Sequence, residues 1–154
     1  MVDEEIKQIK LEKHETKNII DKHVTGSLTV VWRNWDDKLD INPKMIYATS
    51  VNPWEIKGPH LHKKRDSFVV CIRGKVVFVV KDLSGKYHEI ISSEDDPVLV
   101  RIPKNYSSAH MNLSNDVSTV LVIANLAWRP NDNEMVNSSF ENYDFSKWKN
   151  NVTK

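Results

Sequence analysis

Between residues 45 and 125 the chain is divided into short β-branched and aromatic runs, and turn residues interrupt it about every 8–12 positions. Runs suited to strands fall at 27–33, 45–51, 57–61, 67–72, 76–81, 87–91, 98–102, 110–113 and 119–125. Between them stand Arg73-Gly74, Leu83-Ser-Gly85, Pro103-Lys-Asn105 and Ser114-Asn-Asp116, which are turn chemistry. No run of helical length alternates with these strands. An all-β sandwich or barrel therefore follows, not a parallel sheet built from βαβ units. The run Val-Val-Phe-Val-Val at 76–80 is apolar on both faces. One face must line the interior, and the other calls for a second sheet or a second subunit, so a homodimer is expected.

The chain's 154 residues fit one domain. We expect an N-terminal arm over 1–25, a barrel over 26–130 and a C-terminal tail over 131–154 that packs on the barrel. Basic residues number 22 against 21 acidic, interspersed, so no field draws nucleic acid to the surface. No stretch approaches 18 consecutive apolar residues, so no membrane span is expected. The start, Met-Val-Asp-Glu-Glu-Ile-Lys, has no apolar h-region, and the single Cys71 has no partner for an internal disulfide. Both features suit the cytoplasm. Cys71 itself lies in a valine run and reads as a core residue.

Chemistry concentrates in Gly58-Pro-His-Leu-His-Lys-Lys. Side chains alternate faces along a strand, so His60 and His62 share one side. Imidazole has the unperturbed pKa nearest to working pH, which suits proton abstraction next to a carbonyl. Together with His110, the same rings could instead present three nitrogens to a divalent metal. The acid that would complete such a ligand set is out of register at Asp66.

These residues, with Gly26-Ser-Leu-Thr-Val-Val-Trp-Arg33, Gly74, Ile102-Pro-Lys-Asn-Tyr-Ser-Ser-Ala-His110 and Trp128-Arg-Pro130, resemble the cupin superfamily. The resemblance is to its branch of dTDP-4-dehydrorhamnose 3,5-epimerases and sugar 3,4-ketoisomerases, and it runs from about Gly26 to Trp148. It implies a double-stranded β-helix, the cupin jelly roll, in a single domain. In such epimerases a histidine after a Lys-Gly-Leu or Arg-Gly-Leu turn removes a proton beside a ketone, and His60 stands there after Lys57-Gly58-Pro59. The ketoisomerases carry His-x-His-Lys-Lys, reproduced by His60, His62, Lys63 and Lys64, and a tyrosine near the site, matched by Tyr47.

The resemblance thus implies an epimerase or ketoisomerase for a nucleotide-linked keto-deoxysugar, with His60, His62 and Tyr47 moving protons and no cofactor. It implies Arg33, Lys57, Arg101, His110 and Trp128 as substrate contacts, the cations at phosphate and the indole at a ring. Lys63, Lys64 and Arg65 are further phosphate candidates, or a solvated face. Some positions depart from the epimerases: Ser67 replaces a lysine, Ser108 a histidine and Trp128 the acid tyrosine, while Asp144 is the nearest match for a late aspartate. An indole N–H donates hydrogen bonds but is no acid, so double epimerisation is disfavoured. Two other classes remain open: a metal-dependent cupin ligated by His60, His62 and His110, and a sugar-binding cupin without catalysis.

Overall fold

The computed structural model describes residues 5–150. Twelve strands and one short helix follow in order: β1 (Gln8–Lys10), β2 (Lys13–Lys17), β3 (Val24–Thr29), β4 (Met45–Val51), β5 (Ile56–His62), β6 (Ser67–Arg73), β7 (Lys75–Lys81), β8 (Tyr87–Ser93), β9 (Val98–Ile102), β10 (Ser107–Asn112), β11 (Ser118–Ala124), β12 (Met135–Asn137) and α1 (Ser146–Asn150). Most long strands coincide with the expected runs, but β10 begins at Ser107, three residues before the 110–113 expected. The run expected at 27–33 forms a strand three residues earlier, as β3, paired with β2 in a separate hairpin.

Two five-stranded antiparallel sheets face each other, in the orders β1-β9-β6-β11-β4 and β12-β5-β10-β7-β8. The order departs from the chain order because successive strands cross between layers, as in a jelly roll. Val51, Val69, Cys71, Val100, Val120 and Val122 of the first sheet meet Val76, Phe78 and Ile90 of the second between the layers. This valine-rich packing closes one end of the sandwich. There the Ser92 hydroxyl accepts from the amides of Cys71, at 3.1 Å, and Val98, at 3.0 Å. Cys71 is fully buried and its thiol is pushed up to about 11 by burial, as befits a core residue.

Both outer faces are covered by the chain itself. Leu11 and the half-buried Ile9, Val31, Leu39 and Ile41 lie over Phe68, Val70 and Leu99. On the other sheet, Phe140, Tyr143, Phe145 and Trp148 of the C-terminal segment pack on Val77, Val79, Met111 and Leu113. The outward face of the 76–80 run, for which the sequence called for a second sheet or a second subunit, is covered by the chain's own aromatics. Among the described residues no helix is long and apolar enough to cross a membrane.

Candidate functional site

The other end of the sandwich is open. A cavity of about 680 Å³ lies between the sheets, lined by Tyr47, Lys57, His60, His62, Arg65, Ser67, Ser108, His110, Trp128 and the 131–135 segment, with Val69, Phe78, Val120 and Val122 as its apolar floor. That volume is in the range of small-molecule sites, and the mixture of an apolar floor with few convergent polar groups is their usual composition.

Strand register explains the convergence. Tyr47 and Val69 both pair with Val122 across β11, so one row of the first sheet carries Tyr47 into the cavity. On the second sheet His60 pairs with Ser108 and, after a register shift, Lys57 pairs with His110. The period-2 alternation of β5 then turns His60 and His62 the same way, their rings edge to face with centroids 5.5 Å apart. Gly58 makes the local geometry possible. Its φ is +92°, and a Cβ there would lie 2.7 Å from the Ser108 carbonyl oxygen, so only glycine lets β5 approach β10 this closely.

The two imidazoles are not equivalent. His62 donates from Nδ1 to Glu134 Oε2 at 2.6 Å, and the carboxylate can only accept, so Nε2 of a neutral His62 keeps its lone pair. Glu134 is buried, and its other oxygen accepts from the amides of Lys64, at 3.3 Å, and Arg65, at 3.1 Å. It arrives because Met135 of β12 pairs with His62 of β5, which brings the preceding residue alongside that ring. Burial lowers the basicity of both histidines. For His60 the neighbouring His62 and Arg65 add to the effect, whereas for His62 the hydrogen bond to Glu134 opposes it. Both rings are therefore neutral near pH 7 and can accept a proton.

His110 is the third imidazole. Burial first, then the charge of Lys57, brings it down to about 4, and its Nε2 is buried with no hydrogen-bond partner among the described residues. Lys57 donates to Thr49 Oγ1 at 2.7 Å, across the gap between the sheets. Trp128 stands at the mouth, two-thirds exposed, with its amide on Met45 Sδ.

Tyr47, Lys57, His60, His62, His110 and Trp128 thus come together in one cavity. Arg33 and Arg101 do not join them. Arg33 pairs with Glu12 at 3.0 Å and Asp36 at 3.1 Å and lies over the Trp35 ring. Arg101 pairs with Asp40 at 2.9 Å and donates to the Glu5 carbonyl at 3.0 Å. Both satisfy the need of a half-buried guanidinium for a carboxylate, but the carboxylates are protein ones. Nor is the late acid Asp144, which is exposed and holds Ser146 at 2.7 Å. Glu134 was not legible, because Asn-Asp-Asn-Glu reads as a loop and nothing in it announces a pairing 72 positions back.

Among the described residues no group of three or more His, Cys, Asp or Glu side chains is arranged to hold a metal ion. Asp66, out of register in the sequence, accepts from the Lys104 amide at 2.9 Å and the Asn125 side chain at 3.1 Å.

Comparison with known proteins sets this chain in a family. No curated protein sequence matches the chain. Among solved structures, a dTDP sugar isomerase from Desulfovibrio desulfuricans G20 superposes with a TM-score of 0.78 at 16% identity, over 90% of this chain and 87% of that one. The dTDP-6-deoxy-D-glucose-3,5-epimerase RmlC from Legionella pneumophila Philadelphia 1, in complex with dTDP-4-keto-L-rhamnose, gives 0.73 at 13% identity, over 89% and 74%. The capsular polysaccharide assembling protein CapF from Staphylococcus aureus gives 0.58 at 20% identity over 63% of this chain, which spans 27% of the length of CapF. At such identities the likeness establishes the fold, which is the cupin jelly roll. The family model described as FdtA, WxcM-like, C-terminal, matches residues 6–144, and the chain belongs to that family.

Proposed function

We propose that this protein is an isomerase of a nucleotide-linked keto-deoxysugar, moving a proton on the carbon next to the ketone. The observation that carries this reading is the pair of neutral imidazoles on β5, inside one cavity, with a carboxylate behind only the second of them. A ring backed by Glu134 gains more from becoming an imidazolium than one without it, so His62 is the better-supported base. This refines the expectation from the family resemblance, which assigned abstraction to His60. His60, beside it, shuttles the proton between the neighbouring oxygens, and Tyr47 supplies a hydroxyl on the opposite sheet. His110 Nε2, buried and unsatisfied, takes a hydrogen bond from the ligand. The dTDP sugars bound or processed by the structural neighbours support the substrate class.

The test is solvent exchange. Incubated in D2O with a dTDP-4-keto-6-deoxysugar, the protein is expected to place deuterium next to the ketone, and the position of the ketone in the product separates epimerisation from migration. A His62→Asn variant should lose the exchange. Tight binding without any deuterium would instead mark a sugar-binding cupin.

A further inference from the structure

The cavity contains a cation that no carboxylate of the described residues neutralises. Arg65 is buried, 8% exposed, and lines the cavity beside Tyr47, His60 and His62. Its guanidinium donates to two neutral hydroxyls, Ser67 Oγ at 3.1 Å and Tyr47 Oη at 2.8 Å, with Tyr47's ring centroid 5.5 Å away. None of the ion pairs among the described residues includes it. The contrast with Arg33 and Arg101, each held by a carboxylate on less buried ground, is direct. A buried charge set among neutral partners is costly unless an opposite charge joins it. Here the space next to it is the ligand's.

We infer that Arg65 is a catalytic residue that holds the substrate's ketone oxygen and carries the negative charge formed there during isomerisation. This rests on the isomerase reading and adds the group that makes its intermediate accessible. When an imidazole removes the proton, the C–H electron pair becomes a carbon–carbon double bond and the carbonyl π pair moves onto oxygen, leaving an enediolate. Reprotonation at carbon reverses the flow, so no oxidant or reductant is needed. An oxyanion in a water-poor cavity needs a preorganised donor, and a planar fork already fixed by two hydroxyls costs little reorganisation. The backbone supports that placement, because the Arg65 amide is anchored on Glu134, the same carboxylate that serves His62. One carboxylate thus sets both the base and the cation. The Arg65 charge also contributes to keeping His60 and His62 neutral, so it lies within electrostatic reach of both bases.

Arg65→Gln and Arg65→Lys test this, with far-UV circular dichroism and thermal melting to confirm folding. With a dTDP-4-keto-6-deoxysugar, Arg65→Gln should lower kcat on the order of 10²–10³-fold, as for loss of an oxyanion donor, while KM and the Kd of dTDP alone stay within about threefold. Arg65→Lys, which keeps the charge, should recover at least about tenfold of that loss. The acid limb of kcat/KM should move to higher pH in Arg65→Gln, since a cation next to both imidazoles is gone. Weakened dTDP binding with intact kcat would make Arg65 a phosphate contact and overturn the inference. So would full activity in Arg65→Gln, or an Arg65→Lys protein that folds normally and is as inactive as Arg65→Gln. A wild-type protein that exchanges no deuterium defeats the isomerase reading itself, a result distinct from an active wild type beside an active Arg65→Gln.

Discussion

Glu134 is the residue on which the asymmetry of the site depends. It orients His62 through a 2.6 Å bond and, by that bond, opposes the effect of burial on the ring. Glu134→Gln keeps the shape and an acceptor but removes the charge. We expect kcat to fall about 10²–10⁴-fold, the usual worth of a positioned acid–base group, with KM little changed. Because the carboxylate raises the proton affinity of His62, its loss should also move the acid limb of kcat/KM to lower pH, the opposite of the shift expected for Arg65→Gln. A pH–rate profile checks both. His110 permits a different measurement, since its titration affects stability. Folded, it titrates at about 4; unfolded, near the ordinary imidazole value of about 6.5. Between those values the unfolded chain binds the proton and the folded one does not. Stability is therefore retained above about 6.5 and lost as pH falls toward 4, by about 3 kcal/mol in full. Urea unfolding at pH 7 and pH 4 should show a shallower decline in His110→Gln than in the wild type. Equal slopes would mean that the ring is not held neutral.

At the level of elements, β5 bears the site and Gly58 sets its position. Gly58→Ala must accept a φ of +92° and a Cβ 2.7 Å from the Ser108 carbonyl oxygen and 3.2 Å from Ala109 Cα. The expected cost is about 3 kcal/mol, strain and overpacking together, with His60 displaced and exchange activity lost in the fraction that folds. Gly85, at φ +91° with nothing within 4 Å of its Cβ, is the control: alanine there should cost only about 1 kcal/mol and leave activity intact. Chemical denaturation alongside the deuterium assay separates the two. β4, β6 to β9 and β11 were legible because valine, isoleucine and phenylalanine alternate or run between glycine, proline and asparagine turns. β10 was legible only in its second half: Ser-Ser-Ala-His-Met-Asn holds none of these residues, and the strand begins three residues before the 110–113 expected. β1, β2 and β12 were not, since Gln-Ile-Lys, Lys-His-Glu-Thr-Lys and Met-Val-Asn carry no such pattern and become strands only by pairing with β9, β3 and β5. The paired histidines were visible for the same reason as the strands, a period of two. Glu134 and the carboxylates that occupy Arg33 and Arg101 were not, because contacts between distant, irregular segments leave no local signature.

For the molecule as a whole, the C-terminal segment decides whether the second sheet faces water. Its aromatics interlock with Tyr87 of β8: Tyr87 with Phe140 and Tyr143, and Phe145 with Tyr143, at centroid distances of 5.1, 4.9 and 4.8 Å. Trp148 fastens the end, its indole donating to Tyr143 Oη at 2.9 Å, while Tyr143 donates to Glu89 of β8 at 2.9 Å. Lys147 reaches the same Glu89 at 2.7 Å. Glu89 is the polar anchor, but most of the stabilisation comes from apolar area over Val77, Val79 and Met111. Trp148→Ala should therefore cost about 2–3 kcal/mol, somewhat below the value for a fully buried tryptophan because Trp148 is half-buried. Glu89→Gln, which spares the packing, should cost about 1 kcal/mol or less. The larger consequence concerns association. With the aromatic cover loosened, the apolar face of Val77, Val79, Met111 and Leu113 beside the β8 edge is open to another copy, and such faces associate. Trp148→Ala is expected to shift to larger species in sedimentation velocity as concentration rises, while Glu89→Gln sediments as the wild type does. The cavity lies between the sheets, on the far side of β7 and β10 from this cover, so the monomeric fraction of Trp148→Ala should retain its deuterium exchange. If that fraction were inactive at full solubility, the tail would have to support the site through the sheet rather than merely shield its back.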